Sequence, residues 1–186
     1  MAHRIIVRDS DSMRVLSEMG VDGRAELSQD LSFFLKYEKH EKRRGLLGIS
    51  AMPYFRIYEG DEGKDELLVK GFADAIRRWL SLDEENSAKL FIFNGMPPHD
   101  DRSISLRIAE EVGDDRVEVE EYSPDPRQTL GAVASCEAFV AMKFHAALFA
   151  YLNDLPTVIV EYAAKNRALV EDAGFRGKSL IDLDGV

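Results

Sequence analysis

The sequence predicts an α/β protein with a doubly wound parallel sheet, in which helices cover both faces of the sheet. Short apolar segments typical of buried strands alternate with longer segments in which apolar residues recur at helical spacing. The clearest helix covers residues 65–82, where an apolar side chain occurs at every fourth position from Leu68 to Leu80. Strands that alternate with helices in this way favour a parallel sheet, because each parallel pair needs a long crossover connection.

The chain before residue 45 contains two strand regions and one helix. Aspartate and serine residues after the first strand are favourable N-caps for a helix that ends at Gly20. A polar pair at 29–30 interrupts the second strand region. Residues 36–44 are charged and polar apart from one tyrosine, which indicates either a linker or the solvated end of a helix. The predicted segments are a strand at 4–8, a helix at 13–19 and a strand region at 25–35.

The rest of the chain repeats the order of strand, loop and helix. Pro53 ends the first of these strands because proline cannot continue the pairing, and the acidic residues 59–64 indicate a turn. Gly113 and Gly174 close two of the helices. The predicted strands are 45–51, 89–93, 116–119, a segment that starts at Phe139, 156–160 and 179–183. The predicted helices are 65–82, a segment across 106–109, 126–136, a segment that follows Lys143, and 163–173.

Composition limits the classes of protein that the chain can represent. Its 186 residues suffice for one main domain, with 45% apolar and 31% charged residues, as in soluble globular proteins. The formal charge of −10 argues against a surface that binds nucleic acid. No apolar segment approaches the ~20 residues that span a bilayer, and no signal peptide is visible. The single cysteine, Cys136, is expected to be buried, excludes an internal disulfide and favours a cytoplasmic location.

The segment 139–150 is the most informative about function. It passes from an apolar strand through Lys143 and His145 into an alanine-rich helix, without a glycine or proline between them. Both side chains therefore lie in the first helical turn, beside unpaired backbone N–H groups that favour an anion. Lys143 stands in an otherwise uncharged run and must reach solvent, a carboxylate or a bound anion. His145 is either a ligand-facing residue or a core residue, since Phe149 lies on its face of the helix.

Other polar residues follow the strands and are expected at the carboxyl edge of the sheet, where doubly wound proteins bind ligands. His99 with Asp100 and Asp101 would suit a metal, but two aspartates before a helix favour N-capping. Residues 161–165 would either orient a ligand or form an exposed helix start. The sequence has no glycine-rich phosphate loop, paired cysteines or nucleophile elbow. The strand-end loops are 50–54, 94–101, 121–127, 142–145 and 161–165.

Residues 139–148 and 155–162, together with Lys165, resemble the C-terminal half of the polysaccharide pyruvyl transferase family. The family pattern is a strand, a Met-Arg-Leu-His-like segment, a helix of small residues, then a proline-initiated strand that ends in tyrosine with a lysine three residues later. The resemblance covers almost the whole chain. It extends upstream through Val7-Arg8-Asp9-Ser10, Asp30, the strand end at 48–54, and Asp100-Asp101.

The resemblance implies a GT-B architecture, with two Rossmann-like domains and a cleft between them. It assigns residues 1–35 to the tail of a preceding Rossmann-like domain, 36–44 to a linker, and 45–186 to a Rossmann-like donor-binding domain. We therefore expect this sequence to be a fragment that holds the end of one domain and most of the next.

The resemblance also implies a chemistry. Members of the family transfer a pyruvyl group from phosphoenolpyruvate to a pair of saccharide hydroxyls and form a ketal, as part of the synthesis of cell-surface polysaccharides such as exopolysaccharide. His145 matches the proposed general acid, a role that histidine can fill near neutral pH. No cofactor or metal is implied, and a homo-oligomer is compatible with the family. The implied donor-binding residues are Lys143, Ser50, Asn94, Tyr162 and Lys165.

Two positions differ from the family pattern. Lys143 stands where the family has arginine, and lysine lacks the planar two-pronged grip that arginine has on carboxylates and phosphates. Met52 stands where many members have a further arginine. These differences leave two alternatives open, a nucleotide-sugar glycosyltransferase of the same architecture and a non-catalytic module for binding or assembly.

Overall fold

The computed structural model describes residues 3–161, and in addition the backbone of residues 179–182. The predicted helix at 163–173, the glycine that closes it, and residue 183 of the last predicted strand lie outside these ranges. Among the described residues, no helix has the length and apolar character needed to cross a membrane.

Residues 3–35, which we call the N-terminal segment, form a small parallel sheet beside one helix. Strand β1 (Ile5–Val7) pairs with β2 (Ala25–Leu27), and helix α1 (Ser10–Glu18) connects them. The predicted strand region at 25–35 is only partly correct, because a 3₁₀ turn forms at Leu31–Phe34. The carboxylate of Asp30 accepts a hydrogen bond of 2.9 Å from the backbone N–H of Ser32, which stabilises the turn in place of strand pairing.

The following residues, 36–44, form neither a helix nor a strand, which excludes the solvated helix end. Two backbone hydrogen bonds attach them to the chain around residue 133, from His40 N–H to the carbonyl of Gly131 (3.2 Å) and from Arg43 N–H to that of Ser135 (2.9 Å).

A six-stranded, fully parallel sheet forms the main body of the molecule, in the order β5-β4-β3-β6-β7-β8. The order reverses between β3 and β6, whose carboxyl ends therefore flank the crevice where such sheets bind ligands. The strands are β3 (Leu46–Ser50), β4 (Ser87–Phe91), β5 (Val117–Glu120), β6 (Ala138–Ala141), β7 (Thr157–Glu161) and β8 (Ser179–Asp182).

Helices cover both faces of this sheet, as predicted. Successive residues of β3 alternate between the faces: Leu46 packs with the cluster that contains α5 and α6, and Leu47 packs with the cluster that contains α2, α3 and α4. The helices are α2 (Tyr54–Tyr58), α3 (Glu62–Leu82), α4 (Arg102–Val112), α5 (Pro126–Val133) and α6 (Phe144–Leu152).

Several element boundaries differ from the prediction. Strand β4 begins and ends two residues before the predicted 89–93, because Ser87 already pairs with Leu46 of β3. Helix α3 starts at Glu62, since Asp61 caps it through the N–H of Lys64, so the second half of the predicted acidic turn is the first turn of a helix. Helix α5 ends before Cys136, and α2 was not predicted.

Gly48 of β3 packs closely against Phe139 of the neighbouring strand β6 and against Cys136, which follows α5. A Cβ atom at this position would lie 2.4 Å from the ring of Phe139 and 2.7 Å from Sγ of Cys136. Cys136 is fully buried, as predicted, and burial raises the pKa of its thiol to about 12. The absence of a side chain at Gly48 therefore allows the cysteine and the phenylalanine to pack against the sheet.

We expect Gly48→Ala to lower the free energy of unfolding by about 1–3 kcal/mol, because the added methyl group overpacks the core. Urea denaturation measures the change. Gly71→Ala is the matched control, since this glycine lies inside α3 and an added methyl group there would have no atom within 4 Å. The control is expected to stabilise the protein by about 0.5–1 kcal/mol through helix propensity. Equal effects of the two substitutions would contradict close packing at Gly48.

Candidate functional site

The candidate site begins where β6 changes into α6. The N–H of Met142 donates to the carbonyl of Ser50 (2.9 Å), which extends the contact between β6 and β3 beyond the last strand residue. Lys143 is the N-cap residue of α6 and has an extended backbone, with no side-chain cap. The N–H of Ala147 makes the first intrahelical bond, to the carbonyl of Lys143 (3.0 Å), so the positive end of the helix dipole lies at this position and favours an anion.

Lys143 pairs with a buried carboxylate. Its Nζ lies 2.6 Å from Oδ1 of Asp101, and the side chains are 14% and 0% exposed respectively. Of the three environments that the sequence allows for this lysine, the structure selects the carboxylate. The charge of Lys143 is therefore largely neutralised by the protein itself, and its position is fixed between α6 and the loop that follows β4.

The carboxylate of Asp101 does not cap α4, so the interpretation of both aspartates as N-caps is wrong for this residue. Asp101 occupies the N-cap position without a side-chain cap. Its Oδ2 instead accepts hydrogen bonds from the N–H groups of Phe93 (3.1 Å) and Asn94 (2.9 Å), just after β4. Asp100 accepts from the N–H of Arg102 (2.8 Å). Within the described part of the chain, no group of three or more metal-binding side chains comes together.

Burial raises the pKa of Asp101 to about 6. The charge of Lys143, its hydrogen bond and the two backbone N–H groups favour the ionised form, but they do not fully offset the loss of hydration. The carboxylate that holds Lys143 is therefore costly to keep ionised at neutral pH.

His145 faces the cleft at the first turn of α6. Its side chain is 52% exposed, so the core alternative does not apply. The ring makes edge-on contacts with Phe144 and Phe149, at centroid distances of 5.3 and 6.3 Å. These contacts hold one side of the imidazole while the rest of it is accessible.

The N-terminal segment contributes two further charges beside His145. Oδ2 of Asp30 lies 3.9 Å from Nε2 of His145 and 2.6 Å from a guanidinium nitrogen of Arg8. The guanidinium carbon of Arg8 lies 4.3 Å from the ring centroid of Phe144. Burial tends to raise the pKa of Asp30, but hydrogen bonds from Ser32 and Arg8 outweigh it, and the net direction is down.

Arg8 and Asp30 are absent from the predicted set of site residues. Their only signal in the sequence is the family resemblance, which includes both positions. Composition and periodicity could not have found them, because they approach His145 only through the docking of the N-terminal segment on the main sheet.

Two adjoining cavities meet at His145. The larger one, of about 1060 Å³, lies between the N-terminal segment and the main sheet. The smaller one, of about 440 Å³, lies over the strand ends; its lining includes Lys143, Asn94, Met52, Tyr58 at the end of α2 and His99 in the loop before α4. Phe93, Tyr122 and His145 line both cavities.

The predicted donor-binding residues are distributed unevenly around this cleft. Asn94 lines the smaller cavity beside Lys143 and His145, and its Oδ1 accepts from the N–H of Met96 (3.0 Å). Ser50 is fully buried at the end of β3, and its hydroxyl has no hydrogen-bond partner within the described ranges. Tyr162 and Lys165 lie outside the described residues.

Solved structures share this fold at low sequence identity. A structure of TarM matches with a TM-score of 0.53 at 13% identity, over 98% of this chain and 34% of that chain. A mutant of S. aureus TarM, in complex with Fondaparinux, alpha-GlcNAc-glycerol and UDP, matches with a TM-score of 0.55 at 14% identity, over 97% of this chain and 34% of that chain. A structure of accessory secretory protein 1, 2 and 3 in Streptococcus pneumoniae matches with a TM-score of 0.51 at 14% identity, over 97% of this chain and 34% of that chain. The chain thus spans about a third of these proteins, whose likeness establishes a GT-B-type, Rossmann-like fold.

A search of curated proteins gave no significant match. The family model for polysaccharide pyruvyl transferase matches residues 2–163, which include the N-terminal segment, Asp101, Lys143 and His145. The match covers well over half of the sequence, and it agrees with the resemblance noted from the residues alone. The chain therefore belongs to the polysaccharide pyruvyl transferase family.

Proposed function

We propose that this chain carries the donor site for the transfer of a pyruvyl group from phosphoenolpyruvate to a saccharide, with His145 as the general acid. The observation that carries the proposal is the half-exposed imidazole of His145, at a helix N-terminus between two cavities. Membership of the family supports the same reaction class.

The chemistry requires a proton donor at one carbon of the donor. His145 gives a proton to the methylene carbon of phosphoenolpyruvate, which makes the neighbouring carbon electrophilic. One saccharide hydroxyl adds to that carbon, phosphate leaves, and a second hydroxyl closes the ketal. The products are the pyruvate ketal and inorganic phosphate; of the two hydroxyl protons, one restores the proton given up by His145 and the other is taken up by the departing phosphate.

The donor carries a carboxylate and a phosphate, which need positive partners. The amides at the start of α6 supply part of this requirement. Because Asp101 already neutralises Lys143, we assign a share of donor binding to Arg8, whose side chain is 41% exposed. Asn94 completes the described part of the proposed donor site. Ser50, Tyr162 and Lys165 remain predicted contacts, and a cytoplasmic location and a homo-oligomer remain predictions from the sequence.

Isothermal titration with phosphoenolpyruvate tests the donor site. We expect the wild-type chain to bind, and Lys143→Ala and Arg8→Ala each to weaken binding by about 10-fold or more. The first substitution leaves the buried carboxylate of Asp101 without its cation beside an anionic donor, and the second removes a positive partner of the donor. Arg14→Ala is the matched control, since this arginine is exposed on α1 and pairs with Glu18 and Asp11. Circular dichroism checks that each variant is folded. No binding by the wild-type chain, or equal binding by all four proteins, would remove the donor-site assignment.

A nucleotide-sugar glycosyltransferase is the alternative within the same architecture. It is favoured only by the size of the larger cavity, about 1060 Å³, which would accommodate a donor larger than phosphoenolpyruvate. A thermal shift experiment separates the two, because a ligand raises the melting temperature of the folded state that binds it. A shift with UDP but not with phosphoenolpyruvate would favour the glycosyltransferase. A non-catalytic module would instead have a strand-end cleft plugged by side chains, and no side chain of residues 3–161 fills either cavity.

A further inference from the structure

The N-terminal segment places a carboxylate beside the proposed acid. Asp30 is almost completely buried, with 10% of its side chain exposed, and its Oδ2 lies 3.9 Å from Nε2 of His145. The backbone N–H of Ser32 holds the other carboxylate oxygen at 2.9 Å, and Arg8 holds Oδ2 at 2.6 Å. The carboxylate therefore has a fixed orientation with one oxygen directed at the imidazole.

We propose that Asp30 is a positioning residue that orients the imidazole of His145 and keeps it protonated before the donor is attacked. An ionised carboxylate at this distance favours the imidazolium, and the limited exposure of Asp30 weakens screening by water. The inference rests on the proposed role of His145 as an acid, because an acid must hold its proton before the reaction. It makes the site composite, since the carboxylate and the proton donor come from different parts of the fold.

Other charged groups around His145 also affect the protonation of its imidazole. Arg8 and Lys143 oppose protonation by charge repulsion, but each is paired with a carboxylate of its own, Asp30 and Asp101. Asp30 is the carboxylate closest to the imidazole among the ion pairs of the described residues. The titratable side chains that line the two cavities with His145 are Arg8, Asp9, Asp30, Lys143, Tyr58, His99 and Tyr122.

NMR titration of the histidine ring protons in the full chain, without donor, tests the proposal. The protein has four histidines, and His145→Gln identifies the resonance of His145. In Asp30→Asn we expect the titration midpoint of His145 to fall by about half a pH unit or more, because the opposing charge is lost. Asparagine keeps a side-chain oxygen for the N–H of Ser32. Glu26→Gln, a carboxylate of the same segment that pairs with Arg4, is the control and is expected to leave the midpoint unchanged.

An unchanged midpoint in folded Asp30→Asn would overturn the proposal. If that variant does not fold, Arg8→Gln gives the reverse test: the midpoint of His145 is expected to rise, and a constant midpoint would again overturn the proposal. Phosphoenolpyruvate binding is measured separately. If the midpoint falls in Asp30→Asn but the wild-type chain does not bind phosphoenolpyruvate, the electrostatic role of Asp30 is supported and the proposed donor is contradicted. If the chain binds phosphoenolpyruvate but the midpoint is unchanged, the proposed donor is supported and the role of Asp30 is contradicted.

Discussion

Replacement of His145 by glutamine is expected to reduce the rate of the proposed pyruvyl transfer by about 10²–10⁴-fold, the usual contribution of a positioned acid. Glutamine retains a similar size and polarity at the first turn of α6 but cannot deliver a proton at neutral pH. Binding of phosphoenolpyruvate is expected to change far less, because the proposed site assigns the carboxylate and phosphate of the donor to other groups. The measurement is the release of inorganic phosphate from phosphoenolpyruvate, with a saccharide acceptor that supports turnover by the wild-type protein.

The control for this prediction is the second histidine of the smaller cavity. His99→Gln alters a residue that lines the same space and contacts the ring of Tyr58 at a centroid distance of 6.1 Å. Its effect on the rate is expected to stay within about 10-fold, since the proposed reaction assigns it no proton transfer. A His145→Gln variant that keeps more than a tenth of the wild-type rate would show that another group supplies the proton.

Replacement of Asp101 by asparagine is expected to change how stability depends on pH. The folded-state pKa of Asp101 is raised to about 6, above the unfolded value near 4, so the folded protein binds this proton more tightly. Its contribution to stability is therefore fully present below about pH 4 and is lost as the pH rises through 6. Between pH 4 and 7, the wild-type protein should lose about 2 kcal/mol of unfolding free energy relative to Asp101→Asn.

Urea denaturation across this pH range measures the difference. Carboxylates with lowered pKa values, such as Asp30 and Asp114, act in the opposite direction, but they are common to both proteins and cancel in the comparison. Asp100→Asn is the matched control, because its carboxylate is partly exposed and accepts a hydrogen bond from the N–H of Arg102. If the free energies of unfolding of the wild type and Asp101→Asn changed equally with pH over the whole range, the interpretation of Asp101 as a carboxylate that is costly to ionise would be wrong.

The buried carboxylate of Asp101 destabilises the fold when it is ionised, but it also connects two loops of the site. Its carboxylate joins the N–H groups after β4 to the ammonium at the start of α6, so it connects two loops on either side of the crevice. A neutral side chain would avoid the loss of hydration but would leave Lys143 without its partner. We infer that the pair sets the position of the α6 N-terminus, and with it the position of His145.

The sequence by itself determined the parts of this protein that depend on local patterns. Apolar periodicity predicted α3 and the alternation of strands and helices, and hence the doubly wound parallel sheet. The abrupt change from strand to helix placed Lys143 and His145 at a helix N-terminus, where the structure has them. The residues that resembled the family also pointed to the membership that the family model establishes.

Only the tertiary structure decided what these residues contact. The sequence left Lys143 three possible environments and His145 two, because spacing along a helix shows which face a residue occupies but not what lies opposite. Asp101 was interpreted as a cap from its place before α4, yet the loop turns its carboxylate back to β4 and Lys143. Asp30 reaches His145 from the N-terminal segment, where it caps the 3₁₀ turn that follows β2. Pairings of this kind depend on how distant loops meet after the sheet has formed, and local sequence patterns do not predict which loops come into contact.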